Sequence, residues 1–413
     1  MKWPIAKFEE VALPAKGSIV SGPFGSNISS RFFVEEGIPV IRGNNLTFGE
    51  RRFVDDGFVY LTEEKAHEFR NCEALAGDLV FTAAGTIGQV GIIPSDARFE
   101  RYIISNKQLR VRCDRSKVSP LFLFLWFTMQ EMRQHIINKN TGCSIPLINL
   151  GILRGLPVPV PPVEVQERIA SNISAYDDLI ENNRRRMALL ERAARLLYEE
   201  WFVRLRFPGH EDTRISDGVP EGWNLCALDD LCRIGRGASP RPIMKFMGGE
   251  IPWFKIGDAT ASESCFISQT REHVTEAGAK NSVLLDPGAL ILSNSATCGI
   301  PYFTGVRGCV HDGWLHFSEL TRISQQFLYC YLYFKREELV SSVSDGSTQK
   351  NLNTAAVGRL QLCLPCSDTL LTQFQQMAEP AFLMVRKIAQ QNMALRTARD
   401  LLLPRLMSGE LSV

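Results

Sequence analysis

The chain has 413 residues, 45% hydrophobic and 22% charged, which suits two or three globular domains and excludes disorder as the default state. Its net charge of +1 excludes a protein that holds DNA unaided by phosphate neutralisation. No segment changes this: Lys+Arg stand against Asp+Glu at 19 to 16 in residues 1–160, 8 to 8 in 161–207 and 19 to 21 in 208–413. Either DNA is not the partner or another subunit supplies much of the backbone affinity. No apolar run of about 18 residues is present to span a membrane, and MKWPIAKFEE lacks a signal-peptide layout, so the expected location is cytoplasmic, with no membrane partner. Eleven scattered cysteines fit reduced thiols, and Cys363 and Cys366 lack the second Cys/His pair a metal site needs.

Residues 1–162 show short β-type runs at 38–41, 78–82, 90–93, 108–111 and 156–160, interrupted by one apolar helix at 121–137. The aromatic residues of that helix, Phe122, Phe124, Trp126 and Phe127, are expected in the core rather than under a base. Glu63-Glu64-Lys65 reads as the start of a surface helix capped by Thr62. This first mixed α/β domain ends in the stiff PVPVPP of residues 157–162.

Residues 163–207 hold a long helix and a connector. Ile169, Ile173, Tyr176, Ile180, Asn183, Met187, Leu190, Ala194, Leu197 and Trp201 alternate steps of four and three, a coiled-coil seam. A rod of roughly 50 Å needs a partner helix. Residues 367–413 supply one, with Phe374, Met377, Ala381, Met384, Ile388, Gln391, Leu395, Ala398 and Leu402 in the same alternation. Pro380 leaves open whether this second helix starts before that residue or near Glu379.

Between the helices, residues 208–366 repeat the first domain in order. GIPVIRG at 37–43 is echoed by EIPWFKI at 250–256, GDLVFTA at 77–83 by GALILSN at 288–294, and 140–149 by 344–353. The expected fold is therefore α+β: two repeated mixed α/β domains joined by two long helices in an antiparallel coiled coil, with pseudo-two-fold symmetry. In that pairing Asn183 and Gln391 would meet near mid-helix and set the register. Tyr198, Trp201 and Phe202 crowd one helix end and suggest a hydrophobic docking surface. The triplet Arg184-Arg185-Arg186 reads either as a solvated face or as a contact to phosphates or an acidic partner.

Catalytic signatures are missing from the sequence. It contains no phosphate-binding glycine loop, no adenine-methyltransferase turn and no histidine pair at metal spacing, and His311-Asp312 with His316 suggests a triad only by proximity in sequence.

The double layout, with SGPFGSNISS (21–30), GIPVIRGNNL (37–46), VPPVEVQERIA (160–170), LLYEEWFVRLRFPGHE (196–211) and LRTARDLLLPRLMSGEL (395–411), resembles the specificity subunit of Type I restriction-modification systems. The resemblance implies a non-catalytic subunit that reads a bipartite target in double-stranded DNA with two recognition domains. The long helices would act as a ruler and dock two methyltransferase subunits, and through them restriction/translocase subunits. It implies no cofactor in this chain, with S-adenosylmethionine, ATP and Mg held by the partners. Net neutrality is then no objection, because the partners would clamp the DNA. A helical adaptor that organises other proteins without reading DNA is the alternative.

Direct readout needs donors on loops and strand ends. The candidates are Ser26, Asn27, Arg42, Asn44, Asn45, Thr86, Lys107, Asn140 and Ser144 in the first domain. In the second they are Arg236, Ser239, Arg241, Lys255, Asp258, Asn294, Ser295, Gln349 and Lys350. Helix-interface candidates are Ile180, Asn183, Met187, Leu190, Tyr198, Trp201 and Phe202 on the first helix, with Ile388, Gln391, Leu395 and Leu402 on the second.

Overall fold

A computed structural model describes residues 3–49, 51–295, 298–342 and 352–412. The chain folds into two compact units, Met1–Leu179 with Leu395–Val413, and Ile180–Ala394. Among the described residues no helix is long and apolar enough to cross a membrane.

In the first unit an antiparallel sheet has the order Ile19–Ser21, Gln108–Val111, Leu79–Thr82, Val90–Ile92. A second sheet, Val59–Leu61, Ile38–Ile41, Tyr102–Ile104, Glu73–Ala74, pairs its two central strands in parallel. The strand Leu79–Thr82 is buried on both faces, which is why it reads as a continuous apolar run rather than an alternation. Ile5–Lys7 pairs with Pro157–Pro159, the proline-bearing strand that precedes the first long helix.

The second unit has the same plan. Arg233–Arg236, Trp314–Ser318, Leu290–Ser293 and Pro301–Thr304 form the first sheet, extended at its edge by Phe266–Ile267. His273–Val274, Met247–Phe254, Gly308–Val310 and Val283–Leu285 form the second, again with a parallel central pair. Trp223–Ala227 pairs with Gln361–Pro365, which holds Cys363 in a strand. The architecture is α+β, and its topology is written twice.

The aromatic helix is core, as expected: Phe122, Phe124 and Phe127 are buried, and Phe127 meets Phe81 edge-on at 5.0 Å. It is not one helix, however. Pro120–Thr128 ends at an extended Met129, and Gln130–Asn138 starts afresh. The first piece is apolar all round and buried, whereas the second buries only Met132 and Ile136, so the chain breaks where the required face changes. Thr62 accepts from the Lys65 N–H at 3.2 Å and caps Glu63–Glu68.

The long helices are Val163–Tyr198, closed by a π-helical turn at Glu199–Val203, and Thr369–Met407, which runs through Pro380 without interruption. Along the first, Ile169, Ile173, Ile180, Asn183, Met187, Ala194 and Trp201 are buried as the spacing predicts. Along the second the predicted frame is displaced. Met377 and Met384 are 57% and 44% exposed, while Phe374, Ala378, Phe382, Val385 and Ile388 are buried. Two successive steps of four carry the stripe from Phe374 to Phe382, nearer the natural helical period than a strict heptad, and they bury the larger Phe382 in place of Met384.

The displacement carries over to the polar pair. Asn183 donates to Asn392 Oδ1 at 2.8 Å, Asn392 donates to the Ile180 carbonyl at 3.2 Å, and both side chains are buried. Gln391, the expected partner, is exposed. Replacing Asn183 by Leu strips a buried acceptor of its donor and is expected to cost roughly 1–3 kcal/mol in denaturant unfolding. Replacing Asn183 and Asn392 together is expected to recover most of that loss; a single variant as stable as the wild type would show the amides to be solvated.

Candidate nucleic-acid interface

The first unit gathers Arg42, Asn44, Thr86 and Lys107 around one cleft of about 750 Å³. They come from three places: the turn after Ile38–Ile41, the loop after Leu79–Thr82, and the turn entering Gln108–Val111. A Cβ on Gly22 would lie 1.8 Å from the Ser105 carbonyl oxygen, so only glycine lets the following loop cross there. That loop carries the exposed Ser26 and Asn27 on a 3-10 turn, tied down by Asn106, whose amide donates to the Gly25 carbonyl at 3.1 Å.

Asn140 and Ser144 are exposed on a neighbouring loop, joined to the Thr86 loop by the Gly85 N–H donating to the Pro146 carbonyl at 2.9 Å. Asn140 Oδ1 accepts from the Gly142 and Leu147 N–H groups at 2.9 and 2.8 Å, so this side chain shapes the loop. The sequence reading missed Gln89, Ser105, Asn106 and Gln108, which also line the cleft. Their only signal in the sequence is proximity to Thr86 and Lys107.

Asn45 does not belong to the surface. It is completely buried; its Oδ1 accepts from the Arg42 N–H at 2.9 Å, and its amide donates to Val54 and Asp56 carbonyls, each at 2.9 Å. Its function is to pin the turn that presents Arg42 and Asn44. Asp258 does the same in the second unit, accepting from the Lys255 N–H at 2.9 Å and from the Arg271 N–H at 3.1 Å while buried.

The second unit places Ser239, Arg241 and Lys255 on a cleft of about 1070 Å³. A Cβ on Gly237 would lie 2.2 Å from the His311 carbonyl oxygen, the same close crossing as at Gly22. Lys255 is paired with Glu272 at 2.5 Å, and its ammonium lies 4.5 Å from the centre of the Trp253 ring. Arg236 is exposed and donates from Nε to the Asp312 carbonyl at 2.8 Å. Ser239 donates to the Asp312 carboxylate at 2.8 Å, and His311 Nε2 lies 2.9 Å from the same oxygen.

Gly313 N–H donates to His311 Nδ1 at 2.9 Å, so the imidazole carries its proton on Nε2. Burial lowers the His311 pKa against the pull of Asp312. Burial would raise the Asp312 pKa, but the Ser239 hydroxyl and His311 outweigh it and lower it. The carboxylate thus stands between serine and histidine, the wrong order for activating a nucleophile. Asn294 is buried and donates to the Asp312 carbonyl at 3.1 Å, which makes it support for this turn rather than a reader. Ser295 is half-buried beside it, and Gln349 and Lys350 lie outside the described residues.

Tyr198, Trp201 and Phe202 are not an exposed docking surface. They are buried, with Phe202 5.5 Å from Phe374 and 4.8 Å from Phe327 between ring centres. Ile180, Met187 and Ile388 are also buried, and Leu190, Leu395 and Leu402 half-buried. Of the arginine triplet, Arg184 is paired with Glu263 and Glu181, Arg185 is exposed with Glu181 four residues away, and Arg186 reaches Asn183 Oδ1 at 3.5 Å.

The same topology is written twice, and each copy carries cationic side chains around one cleft, with the amides of Asn44, Gln89, Asn106 and Gln108, among the described residues, lining the first alone. Residues 29–192 and 220–377 match the family model of the Type I restriction modification DNA specificity domain, and the chain belongs to that family. It is a specificity subunit, the non-catalytic component that recognises the DNA target. Among its relatives, the Type I restriction enzyme MjaIX specificity subunit of Methanocaldococcus jannaschii is 24% identical over 424 residues, covering 100% of this chain and 94% of the relative. The HindI specificity subunit of Haemophilus influenzae is 24% identical over 384 residues, covering 76% and 83%. The crystal structure of a Type I S subunit from M. genitalium shares the fold, with a TM-score of 0.60 at 14% identity, covering 98% of this chain and 96% of that one.

Proposed function

We propose that residues 1–162 and 208–366 are two target recognition domains, each reading one half of a bipartite DNA sequence through its cleft. Residues 163–207 and 367–413 are then the spacer, two helices paired as an antiparallel coiled coil that relates the domains by pseudo-two-fold symmetry. Three contacts support the antiparallel reading: Asp177 with Arg399 at 2.7 Å, Asn183 with Asn392 at 2.8 Å, and Trp201 with Phe374 at 6.3 Å between ring centres. The position on one helix falls as the other rises.

The spacer sets the half-site separation and docks two methyltransferase subunits, through which restriction subunits join. S-adenosylmethionine would be held by the former and ATP with Mg by the latter; this chain's part is to position them on DNA from the cytoplasm. The observation that carries the reading is the convergence of Arg42, Asn44, Thr86 and Lys107 on one cleft, matched by Ser239, Arg241 and Lys255 on the other. Exchanging residues 22–144 for those of a relative and sequencing the methylated sites tests it. One half of the modified sequence is expected to change and the other to persist, whereas an adaptor would leave both untouched.

A further inference from the structure

The two clefts differ at the position where their turns are most alike. Arg42 and Lys255 each follow a strand of the mixed sheet, and each has its main-chain N–H held by the third residue on, Asn45 or Asp258. Lys255 has its charge answered by Glu272 at 2.5 Å and its ammonium over Trp253. Arg42 does not. Among the described residues its Nε is buried without a hydrogen-bond partner, and none of those lining its cleft carries a carboxylate.

A donor kept dry and unpaired is costly in the free protein, and the cost is relieved when an acceptor arrives. The buried Asn45 fixes the backbone beneath it, so the planar fork is presented from a rigid base. The exposed Lys107 at the same cleft is a point charge on a flexible stem, suited to a phosphate. The planar fork suits two acceptors side by side, and in the major groove guanine offers that pair as O6 and N7.

Building on the two-domain reading above, we propose that Arg42 is a specificity-determining residue that requires a guanine in the half-site read by the first domain, with no equivalent guanine contact at Lys255. The test uses the full chain in complex with its methyltransferase subunits, acting on a plasmid library randomised across both half-sites. Wild type is expected to demand guanine at one position of the half-site that follows exchange of residues 22–144. Arg42→Ala is expected to lose that preference by roughly tenfold or more while the other half-site stays unchanged. Arg42→Lys retains part of the preference, and Lys255→Ala alters no guanine.

A half-site without guanine, or one whose guanine survives Arg42→Ala, overturns the proposal. So does a loss that is uniform across sequences with a shallower salt dependence, the mark of a phosphate contact. If Arg42→Ala abolishes methylation of every sequence, Arg42→Lys decides: undiminished guanine preference overturns the assignment, and diminished preference supports it. If the exchange of residues 22–144 leaves the methylated sequence unchanged, the two-domain reading fails. If the exchange changes one half-site and Arg42 does not matter, only the guanine assignment fails.

Discussion

Inserting one heptad between Leu179 and Ile180 and another between Ala394 and Leu395 is expected to lengthen the spacer in the recognised DNA by up to about 3 bp. Seven residues add roughly 10 Å of helix, and base pairs stack at about 3.4 Å. Both junctions fall where the chain divides into its compact units, so the Asp177–Arg399 and Asn183–Asn392 contacts, each within one unit, are left in place. A heptad also returns the following residues to nearly the same helix face, which an insertion of four or five would not. One insertion without the other should abolish recognition of any bipartite site, because the paired faces then fall out of step. Sequencing the methylated sites reads the result directly, and an unchanged spacer would remove the ruler role from these helices.

Replacing Asp78 by Ala is expected to destabilise the first unit by about 3–5 kcal/mol, because it strands a buried charge. Asp78 is buried, accepts from Arg112 at 2.9 and 2.7 Å and from the Leu75 N–H at 2.9 Å, and lies 3.8 Å from Arg110 Nε. Arg110 is itself buried in the strand Gln108–Val111, with carbonyls of Ser18 and Asn71 as its hydrogen-bond partners at 3.2 and 3.3 Å. Burial lowers its pKa, and Asp78 is the main charge opposing that. Arg112→Ala should cost less, about 1–3 kcal/mol, because it removes two bonds from the buried Asp78 carboxylate but leaves it the Leu75 N–H and Arg110, and the Arg112 side chain is itself 35% exposed. Denaturant unfolding measures both; an Asp78→Ala chain within about 1 kcal/mol of wild type would mean that water reaches Arg110 once the carboxylate is gone. The strand that Arg110 anchors begins beside Lys107, so the same change should weaken readout of the first half-site.

Much of this molecule was legible without coordinates. The strands 38–41 and 108–111 fall where the β-type runs lie, and every residue of the first helix seam is buried or half-buried, because these patterns are local and repeat within a few residues. The candidate cleft was legible in part. Arg42, Asn44, Thr86 and Lys107 have the sequence signature of donors on loops, and the fold brings all four together. Asn45, Asp258 and Asn294 carry the same signature and are buried supports, since amides and carboxylates that hold turns have the same sequence appearance as those that read bases. Pro380 leaves the start of the second helix open in the sequence, and the structure answers it: the helix passes through the proline, as tertiary packing along both flanks outweighs one missing hydrogen bond.

The sequence by itself determined the repeat, the family and the existence of two long helices, because each rests on residue order along the chain. Only the tertiary structure decided that Asn392 rather than Gln391 faces Asn183, that Met129 divides the aromatic helix, and that Glu272 answers Lys255 while, among the described residues, no cleft-lining carboxylate answers Arg42. Those facts depend on which side chains fold brings within about 3 Å of one another across long stretches of chain, and no local periodicity encodes such distances.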